Sequence, residues 1–390
     1  MVKEIITKKK ICALTTISKT MDWFIVDSMR NLADNGYDVT LICDMEDGFA
    51  ERNEDYAKCI NIPMSRGVSV RDLLTVPFKL RKIFTNSRFD IIYYTSPNVS
   101  LYASIGGLLA GINKRVYSQC GLRYVSFSGV KKRVFWLVEK LTCMLSTTIR
   151  AQSPQNMQFA IDEHLCSKDK ISVVGIGGTT GVKLSDCDAF DHEQFKQDLR
   201  RQYGIPQDSF VYGYVGRINA DKGINELVTA FVNLQKKYQN IYLVMVGMLD
   251  NTNPITDENM LIVANNSNII MTDNVPSDQV YAHMAMMDVL THPTYREGFG
   301  KVLQEAMGVG IPIITTNVPG PREVVEKDIS GILVEPRNPA DLAEKMEFLY
   351  QDADTRNRIA AAGRKRAEQY FDRPIMLHNI LMDINKIVSK

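Results

Sequence analysis

Two carboxylates, Glu297 and Glu305, lie eight positions apart in the stretch YREGFGKVLQEAMGVGIPIITT, residues 295–316. The run before it, VLTHPT, has the composition of a strand, YREGFG that of a turn, and KVLQEAMGVG that of a helix. N–H groups at such a helix start attract anions, and Gly298 and Gly300 let the backbone approach a ligand closely. The pattern favours a nucleoside diphosphate sugar, with one acid for the sugar hydroxyls and the other for the ribose. An ordinary surface position for Glu305 is the alternative.

A second loop, GYVGRINADKG at residues 213–223, follows another strand-like run. It offers Gly216, Arg217, Lys222 and Gly223. Two cations five residues apart at the end of a strand suit a diphosphate, and two solvated surface cations are the alternative. Because ligands of doubly wound folds bind at the carboxyl ends of strands, this loop and the acidic turn are candidates for one site.

Short apolar runs alternate with amphipathic helical stretches along the 390 residues. This alternation predicts an α/β fold with parallel sheets that carry helices on both faces. Two series of strands predict two doubly wound, Rossmann-like domains. We expect an N-terminal domain over 1–183, a polar linker over 184–207, a second domain over 208–370, and a C-terminal helix over 371–390 that packs back on the first domain.

The net charge is only +1, but it is unevenly distributed: residues 1–183 carry +8 and the remainder −7. Between Arg66 and Arg150 there are 14 basic and 3 acidic residues, which suggests a local anionic partner and no nucleic acid. The seven cysteines, with no Cys-x-x-Cys, indicate reduced thiols in the cytoplasm. We find no signal peptide, and we interpret the charge-free residues 91–113 as strand, turn and helix, not as a membrane span.

Three segments, GRINADKG, HPTYREGFGKVLQEAMGVGIPIITTNVPGPREVV and GILVEP, resemble the signature of glycosyltransferase family 4. This resemblance implies retaining enzymes of the GT-B fold, in which two Rossmann-like domains face a central cleft. The stretches SPNVSLYASIGGLLAG, VYSQCGLRY and GIGGTTGV resemble a bacterial subset that extends lipid-linked sugars for capsule, O-antigen or glycoprotein assembly. The implied reaction moves a sugar, an N-acetylhexosamine or a hexose, from a UDP-sugar to a hydroxyl of a glycan acceptor.

Carried over to this sequence, the resemblance makes Arg217, Lys222 and Glu297 the catalytic residues: the two cations grip the diphosphate and Glu297 contacts the donor sugar. Glu305 would bind the ribose. The implied donor-binding set is Gly216, Arg217, Lys222, Glu297, Gly298, Phe299, Gly300, Val302 and Glu305, and the implied acceptor set is Thr16, Cys120, Gly121 and Arg123. Cys120-Gly121 stands where many members have His-Gly, and the first histidine of this chain is His164.

Retention at the anomeric carbon is also implied by the resemblance. No residue identifies itself as the nucleophile of a double displacement, so front-face attack is the favoured mechanism, with fixed cations that stabilise the leaving phosphate. Asp-x-Asp occurs at 186–188, in the expected linker, and at 352–354, in a late helix. We therefore expect neither a metal requirement nor a cofactor.

Residues 131–145, KKRVFWLVEKLTCML, predict a helix whose core stripe is formed by Val134, Leu137, Val138, Leu141 and Leu145. The opposite side would carry Lys132, Arg133, Phe135, Trp136 and Lys140. Cations mixed with aromatic residues suit an anionic lipid interface, which predicts peripheral attachment to the inner face of the cytoplasmic membrane. The alternative is that Phe135 and Trp136 pack beneath a neighbouring loop.

Other protein classes fit the sequence less well. The first strand-to-helix turn, TTISKTMD, has no glycine, which argues against a dinucleotide-dependent dehydrogenase. A sugar-nucleotide epimerase, a phosphorylase and a non-catalytic sugar-nucleotide-binding protein remain alternatives of the same architecture.

Overall fold

The computed structural model describes residues 8–65, 67, 69–251 and 253–389. The chain forms two compact units. The first comprises the chain up to Thr180 together with Ile375–Lys390, and the second is Gly181–Pro374. The segment expected as a linker, 184–207, carries two helices, α7 (Leu184–Cys187) and α8 (His192–Gln202), and lies in the second unit.

The first unit is built on a parallel sheet of seven strands in the order β3-β2-β1-β4-β5-β6-β7. The strands are β1 (Lys10–Ile17), β2 (Asp38–Asp44), β3 (Ala57–Asn61), β4 (Ile91–Tyr94), β5 (Arg115–Gln119), β6 (Thr148–Ala151) and β7 (Ile171–Val173). The helices between them are α1 (Ser18–Phe24), α2 (Val26–Asp34), α3 (Val70–Ser87), α4 (Pro97–Leu109), α5 (Gly129–Leu145) and α6 (Pro154–Asp162).

Alternate residues of these strands feed two cores, because successive strand side chains point to opposite faces. Cys12, Leu14 and Ile92 pack with apolar residues of α3, α4, α5 and α6. Ile11, Ala13 and Ile91 pack on the other face with α1, α2 and the C-terminal helix. Residues 91–113 form β4 and α4 as predicted, and no helix within the described residues is long and apolar enough to span a bilayer.

The second unit repeats this plan with six parallel strands in the order β10-β9-β8-β11-β12-β13. The strands are β8 (Phe210–Val215), β9 (Ile241–Val246), β10 (Ile269–Met271), β11 (Val289–His292), β12 (Ile313–Thr316) and β13 (Ile332–Val334). The helices are α7, α8, α9 (Ile224–Gln235), α10 (Asp257–Asn265), α11 (Val280–Ala285), α12 (Lys301–Val309), α13 (Pro321–Val324), α14 (Pro339–Gln351) and α15 (Ala353–Arg366). Each of the thirteen strands within the described residues coincides with a strand-like run of the sequence.

The last helix, α16 (Arg373–Ser389), belongs to the first unit from Ile375 onward. Its apolar residues Ile384 and Ile387 join the core of that unit. Its Asp383 carboxylate pairs with the Arg150 guanidinium of β6, at 2.7 Å from Nε and 2.8 Å from Nη2. This pair is largely buried, so it fixes the helix against the sheet more firmly than an exposed pair would.

Both sheets reverse their strand order at equivalent places. Strand β1 lies between β2 and β4, and strand β8 lies between β9 and β11. Loops that leave the sheet in opposite directions open a crevice at the carboxyl ends of such strand pairs, and ligands of doubly wound folds bind there. The loop after β8 and the turn after β11 are the two segments that the sequence singled out.

Candidate active site

The loop after β8 begins at Gly216, which adopts a φ of 144°. A Cβ at this position would lie 2.9 Å from the Tyr214 hydroxyl, so only glycine fits without displacing that ring. The next residue, Arg217, leaves 68% of its side chain exposed, and its Nη1 lies 2.8 Å from Oδ2 of Asp250. Asn219 donates to the same carboxylate oxygen at 3.0 Å. Asp250 thus orients a cation that remains accessible to a ligand.

Lys222 closes a short 3-10 turn, Ala220–Lys222, in which the Asn219 side chain accepts from the Lys222 N–H at 3.1 Å. Gly223 follows with a φ of 71°, and a Cβ there would lie only 2.0 Å from the carbonyl oxygen of Pro293. The cationic loop and the end of β11 are therefore in direct backbone contact. This close approach sets the position from which the Lys222 side chain extends.

The Lys222 ammonium meets the Glu297 carboxylate, with Nζ 2.5 Å from Oε2. Further contacts hold the two segments together: the N–H of Tyr295 donates to the carbonyl of Asp221 at 2.9 Å, and the Tyr295 hydroxyl donates to Glu226 at 2.6 Å. The structure thus brings together the cation and the acid that the sequence assigned to one site.

A histidine lies beneath this pair. His292, the last residue of β11, is 2% exposed, and its Nε2 lies 3.6 Å from Oε2 of Glu297. Its ring stacks on Tyr214, with centroids 5.5 Å apart and planes inclined by 9°. Burial lowers the pKa of His292, more than the neighbouring Glu297 raises it. The imidazole is therefore neutral near pH 7.

The Glu297 carboxylate is strongly favoured in its charged form. Burial by itself raises its pKa, but the nearby imidazole of His292, at 3.6 Å, and the charge of Lys222 outweigh burial and hold the pKa well below the ordinary value. One of its oxygens also accepts from the N–H of Gly298 at 3.2 Å. The site therefore presents an ionised acid to any ligand.

The turn continues into α12, which Gly300 caps with a φ of 84°. The residues expected to bind the donor differ in what they offer. Val302 is half-buried in the first turn of α12, whereas Phe299 is 4% exposed and packs against Phe371 with ring centroids 6.0 Å apart. Only the backbone of Phe299 is available to a ligand, because its side chain belongs to the core.

Glu305 lies farther along α12, with 15% of its side chain exposed. Its carboxylate is 3.5 Å from the Lys301 ammonium, one turn earlier. Burial raises the pKa of Glu305, and Lys301 and Arg373 oppose this effect. The side chain is thus neither an ordinary surface acid nor part of the Lys222–Glu297 pair.

Sequence reasoning missed His292, Tyr214 and Asp250. A detectable signal existed for the histidine, because HPT ends the strand that leads to Glu297 and the residue at a strand end faces the ligand crevice. Asp250 is recognisable only in three dimensions, since it is 33 positions from Arg217. The two Asp-x-Asp stretches are occupied otherwise: Asp188 pairs with Arg364 at 2.9 Å, and Asp352 caps α15 through the Thr355 N–H.

The expected acceptor residues lie at strand ends of the first unit. Thr16 is in β1 and is 8% exposed, while Cys120 follows β5 and is exposed. The Thr95 hydroxyl donates to the Cys120 sulfur at 2.9 Å, and Gly121 has a φ of 113°. The backbone of Arg123 begins a 3-10 turn, and its side chain lies outside the described residues.

The predicted membrane face of α5 needs correction. Phe135 and Trp136 are partly buried and pack against the core, and the Phe127 and Phe135 rings are 4.8 Å apart. Val134 and Leu137, expected in the core stripe, are exposed by 47% and 52%. Lys132 and Arg133 are exposed as expected, whereas Lys140 is half-buried and donates to the carbonyl of His164. Val138, Leu141 and Leu145 pack against the core as predicted. The buried side of the helix is therefore shifted toward Phe135 and Trp136, because these large rings take core positions in place of Val134 and Leu137.

Comparison with known proteins identifies the family. Residues 21–177 match the protein family described as "Glycosyl transferase 4-like domain". Residues 195–366 match the family described as "Glycosyl transferases group 1". The capsular polysaccharide biosynthesis glycosyltransferase CapM of Staphylococcus aureus is 31% identical over 368 residues, which cover 94% of this chain and 94% of CapM. The chain belongs to the GT4-type glycosyltransferases. This membership confirms the resemblance read from the sequence.

Solved structures agree with this fold. A glycosyltransferase from Rickettsia africae has a TM-score of 0.78 and 18% identity, and the match covers 98% of this glycosyltransferase and 100% of that chain. Anabaena Alr3699/HepE in complex with UDP-glucose has a TM-score of 0.80 and 19% identity, with 97% and 99% covered. At these identities the likeness concerns the fold. Together with the two parallel-sheet units, it confirms the predicted GT-B class.

Proposed function

We propose that this glycosyltransferase moves an N-acetylhexosamine or a hexose from a UDP-sugar to a hydroxyl of a lipid-linked glycan, with retention at the anomeric carbon. The observation that carries the proposal is the Lys222–Glu297 pair at the switch point between β8 and β11. A cation for phosphate and an ionised acid for hydroxyls occupy adjacent positions there. HepE, a relative in fold, was solved in complex with UDP-glucose, which supports a UDP-sugar as donor.

Donor binding uses both sides of this pair. The diphosphate binds Lys222 and the exposed guanidinium of Arg217, which Asp250 orients. The N–H groups at the start of α12 add a partial positive charge. Glu297 then accepts from hydroxyls of the sugar. Glu305, deeper along α12, accepts from the ribose hydroxyls. Ionisation of Glu297 matters because a carboxylate accepts hydrogen bonds at both oxygens.

Transfer proceeds by front-face displacement. The acceptor oxygen forms a bond to the anomeric carbon on the side from which the phosphate oxygen departs, and that phosphate oxygen takes the acceptor proton. UDP leaves as the bond between the anomeric carbon and the phosphate oxygen breaks. Lys222 and Arg217 stabilise the charge that grows on the leaving group, and removal of one such donor typically costs on the order of 100- to 1000-fold in rate.

No metal or cofactor takes part in this proposal. Two fixed cations occupy the role that a divalent ion has in other phosphate-transfer sites, and they do so without recruiting an ion from solution. Transfer should therefore continue at full rate in the presence of EDTA. A strict dependence on Mg²⁺ or Mn²⁺ would contradict this part of the proposal.

The acceptor is proposed from the relatives and from charge. CapM is named for capsular polysaccharide biosynthesis, which supports a surface-polysaccharide intermediate as acceptor, with O-antigen and glycoprotein precursors as the other candidates. A lipid diphosphate carrier is anionic, and the first unit is rich in cations between Arg66 and Arg150. We expect the enzyme to act in the cytoplasm, on the inner face of the cytoplasmic membrane.

The test is UDP release from a panel of UDP-sugars, with and without lipid-linked acceptors, for wild type and for Lys222→Ala, Arg217→Ala and Glu297→Gln. Lys236→Ala, which removes an exposed lysine of the same unit, is the matched control. We expect acceptor-dependent release that the site variants lose and the control keeps. Proton NMR of the product then reports the anomeric configuration, and inversion would contradict front-face transfer.

The same assay separates the alternatives. An epimerase would convert the donor without releasing UDP, a phosphorylase would require inorganic phosphate, and a binding protein would turn over nothing. Family membership favours transfer over all three.

A further inference from the structure

Helix α5 carries a line of apolar side chains that the fold does not bury. Val130, Val134, Leu137 and Met144 are exposed by 77%, 47%, 52% and 58%. Their spacing of four, three and seven residues places them on one side of a helix. The opposite side of α5 holds the buried Glu139, Thr142 and Cys143. Two of these exposed residues, Val134 and Leu137, were expected to lie in the core.

Helix α3 shows the same arrangement. Val70, Leu74 and Phe78, four residues apart, are exposed by 69%, 64% and 59%, whereas Val76, Leu80 and Phe84 are buried in the core. Both helices pack on α4 and contribute to the core on one face of the first sheet. We call seven of the exposed apolar residues on the two helices, Val70, Leu74, Phe78, Val130, Val134, Leu137 and Met144, the α3/α5 surface.

Cations accompany the α3/α5 surface. Exposed basic residues on the two helices are Arg71, Lys79, Arg81, Lys82, Lys131, Lys132 and Arg133. Within the described part of the chain, no carboxylate lies within 4 Å of Lys82, Lys132 or Arg133. These charges are therefore available to an anionic partner.

The acids near these two helices each accept hydrogen bonds from other parts of the first unit. Asp72 accepts from the N–H of Ser65 at 2.8 Å, and Asp90 accepts from the N–H of Lys10 at 2.7 Å. Glu139 is buried, where it accepts from Tyr117 at 2.9 Å and from Gln119 at 2.7 Å. They are the three acids between Arg66 and Arg150. Asp72 keeps its negative charge, because hydrogen bonding from Ser65 holds its pKa below the ordinary value. On α3 and α5 this one partly exposed carboxylate faces seven exposed cations, so attraction to an anionic surface prevails.

We propose that the α3/α5 surface docks on a bilayer with anionic headgroups. The apolar side chains enter the boundary between headgroups and acyl chains, and the flanking cations contact lipid phosphates, as in helices that lie in the membrane interface. This inference rests on the proposed lipid-linked acceptor, which lies in the same bilayer. It replaces the predicted anchor, Phe135 and Trp136, because those rings pack against the core.

The test compares two double variants with matched exposure. Leu74→Glu with Leu137→Glu charges the α3/α5 surface at side chains exposed by 64% and 52%. Leu261→Glu with Met382→Glu makes the same change at side chains exposed by 65% and 54%, on α10 and α16. All four positions are exposed, and a thermal unfolding transition measured for each double variant checks that it folds.

Binding is measured by flotation with vesicles that contain phosphatidylglycerol and with vesicles of phosphatidylcholine alone. We expect wild type and the control variant to bind the anionic vesicles, more weakly as salt increases, and the surface variant to bind at least 10-fold more weakly. Equal binding by the surface and control variants would overturn the proposal. Absence of wild-type binding at low salt would overturn it as well.

A second copy of the chain is the other occupant that the test recognises. If light scattering showed a wild-type dimer that only the surface variant dissociates, the α3/α5 surface would be a protein interface and the proposal would be wrong. UDP-sugar affinity, measured by calorimetry in the absence of lipid, separates this inference from the proposed reaction. The surface variant should keep that affinity, whereas Glu297→Gln should lose affinity for the UDP-sugar and still bind vesicles.

Discussion

The two units share one topology and differ sharply in the chemistry at their strand ends. The second unit gathers charged groups after β8 and β11: Lys222 pairs with Glu297, and Asp250 orients Arg217. In the first unit, the groups that meet after β4 and β5 are small and neutral: the hydroxyl of Thr95 donates to the sulfur of Cys120. One fold thus supports two kinds of site, because the loops and not the sheet determine the chemistry.

The difference fits the two substrates of a transfer reaction. A diphosphate is a fixed, highly charged target, and fixed charges recognise it most effectively. A glycan hydroxyl is neutral and needs only space and a few hydrogen bonds. Substitutions at the charged site of the second unit should therefore have large effects on activity or stability. Comparable substitutions at the neutral site of the first unit, around Thr95 and Cys120, should have small effects.

The largest effect is expected from Lys222→Ala. It removes the cation that we propose for the leaving phosphate, and it leaves the Glu297 carboxylate without its closest partner. We expect kcat to fall on the order of 100- to 1000-fold, measured by UDP release at saturating donor. A loss smaller than tenfold would mean that the charged cluster is not the catalytic centre.

A large effect on stability is expected from Gly223→Ala, because a Cβ there would lie 2.0 Å from the Pro293 carbonyl oxygen. Gly204 is the control, since it has a similar φ of 69° and a Cβ placed on it would meet no atom within 4 Å. The left-handed conformation alone costs about 1–2 kcal/mol in Gly204→Ala. We expect Gly223→Ala to cost at least about 3 kcal/mol in urea unfolding. Equal costs would refute the close approach of the two loops.

An intermediate effect concerns pH and His292. Burial lowers its pKa below the unfolded value of 6.5, so the unfolded state takes up the proton first as the pH falls. Stability should therefore decrease as the pH falls below 6.5. The depressed pKa of Glu297 contributes stability above 4.5 that is lost only in more acidic solution.

The His292→Gln variant should remove this decrease, and His378→Gln, at an exposed histidine, should keep it. Urea unfolding at about pH 7 and pH 5 supplies the measurement. A decrease that persists in His292→Gln would show that another group titrates.

The smallest effect is expected from Cys120→Ala at the neutral end. The substitution removes one neutral hydrogen-bond partner of Thr95, and such a bond contributes about 1 kcal/mol. We expect the KM for the acceptor to rise less than about fivefold, and kcat to stay unchanged. A collapse of kcat would end the contrast between the two units, because it would make the thiol part of the chemistry.

Sequence reasoning succeeded where the physics is local. The strands of the described residues are short runs rich in apolar or β-branched residues, so they were recognisable from the sequence. The strand order was not predicted; the structure shows that it places the loops after β8 and β11 side by side. Sequence reasoning was right about Val138, Leu141 and Leu145 of α5 and wrong about the two aromatic residues. Apolar residues occur on every side of that helix, so a helical wheel cannot tell which of them pack against the core. Phe299 shows the same limit, since only packing against Phe371 reveals that its side chain points into the core.

The most direct test of the central claim is calorimetric titration with UDP and with UDP-sugar for wild type, Lys222→Ala and Glu297→Gln. We assign the diphosphate to Lys222 and the sugar to Glu297. Lys222→Ala should therefore weaken the binding of both ligands, whereas Glu297→Gln should weaken the UDP-sugar and leave UDP bound as tightly as before or more tightly. Equal losses for UDP and UDP-sugar in Glu297→Gln, or no loss for either, would contradict it.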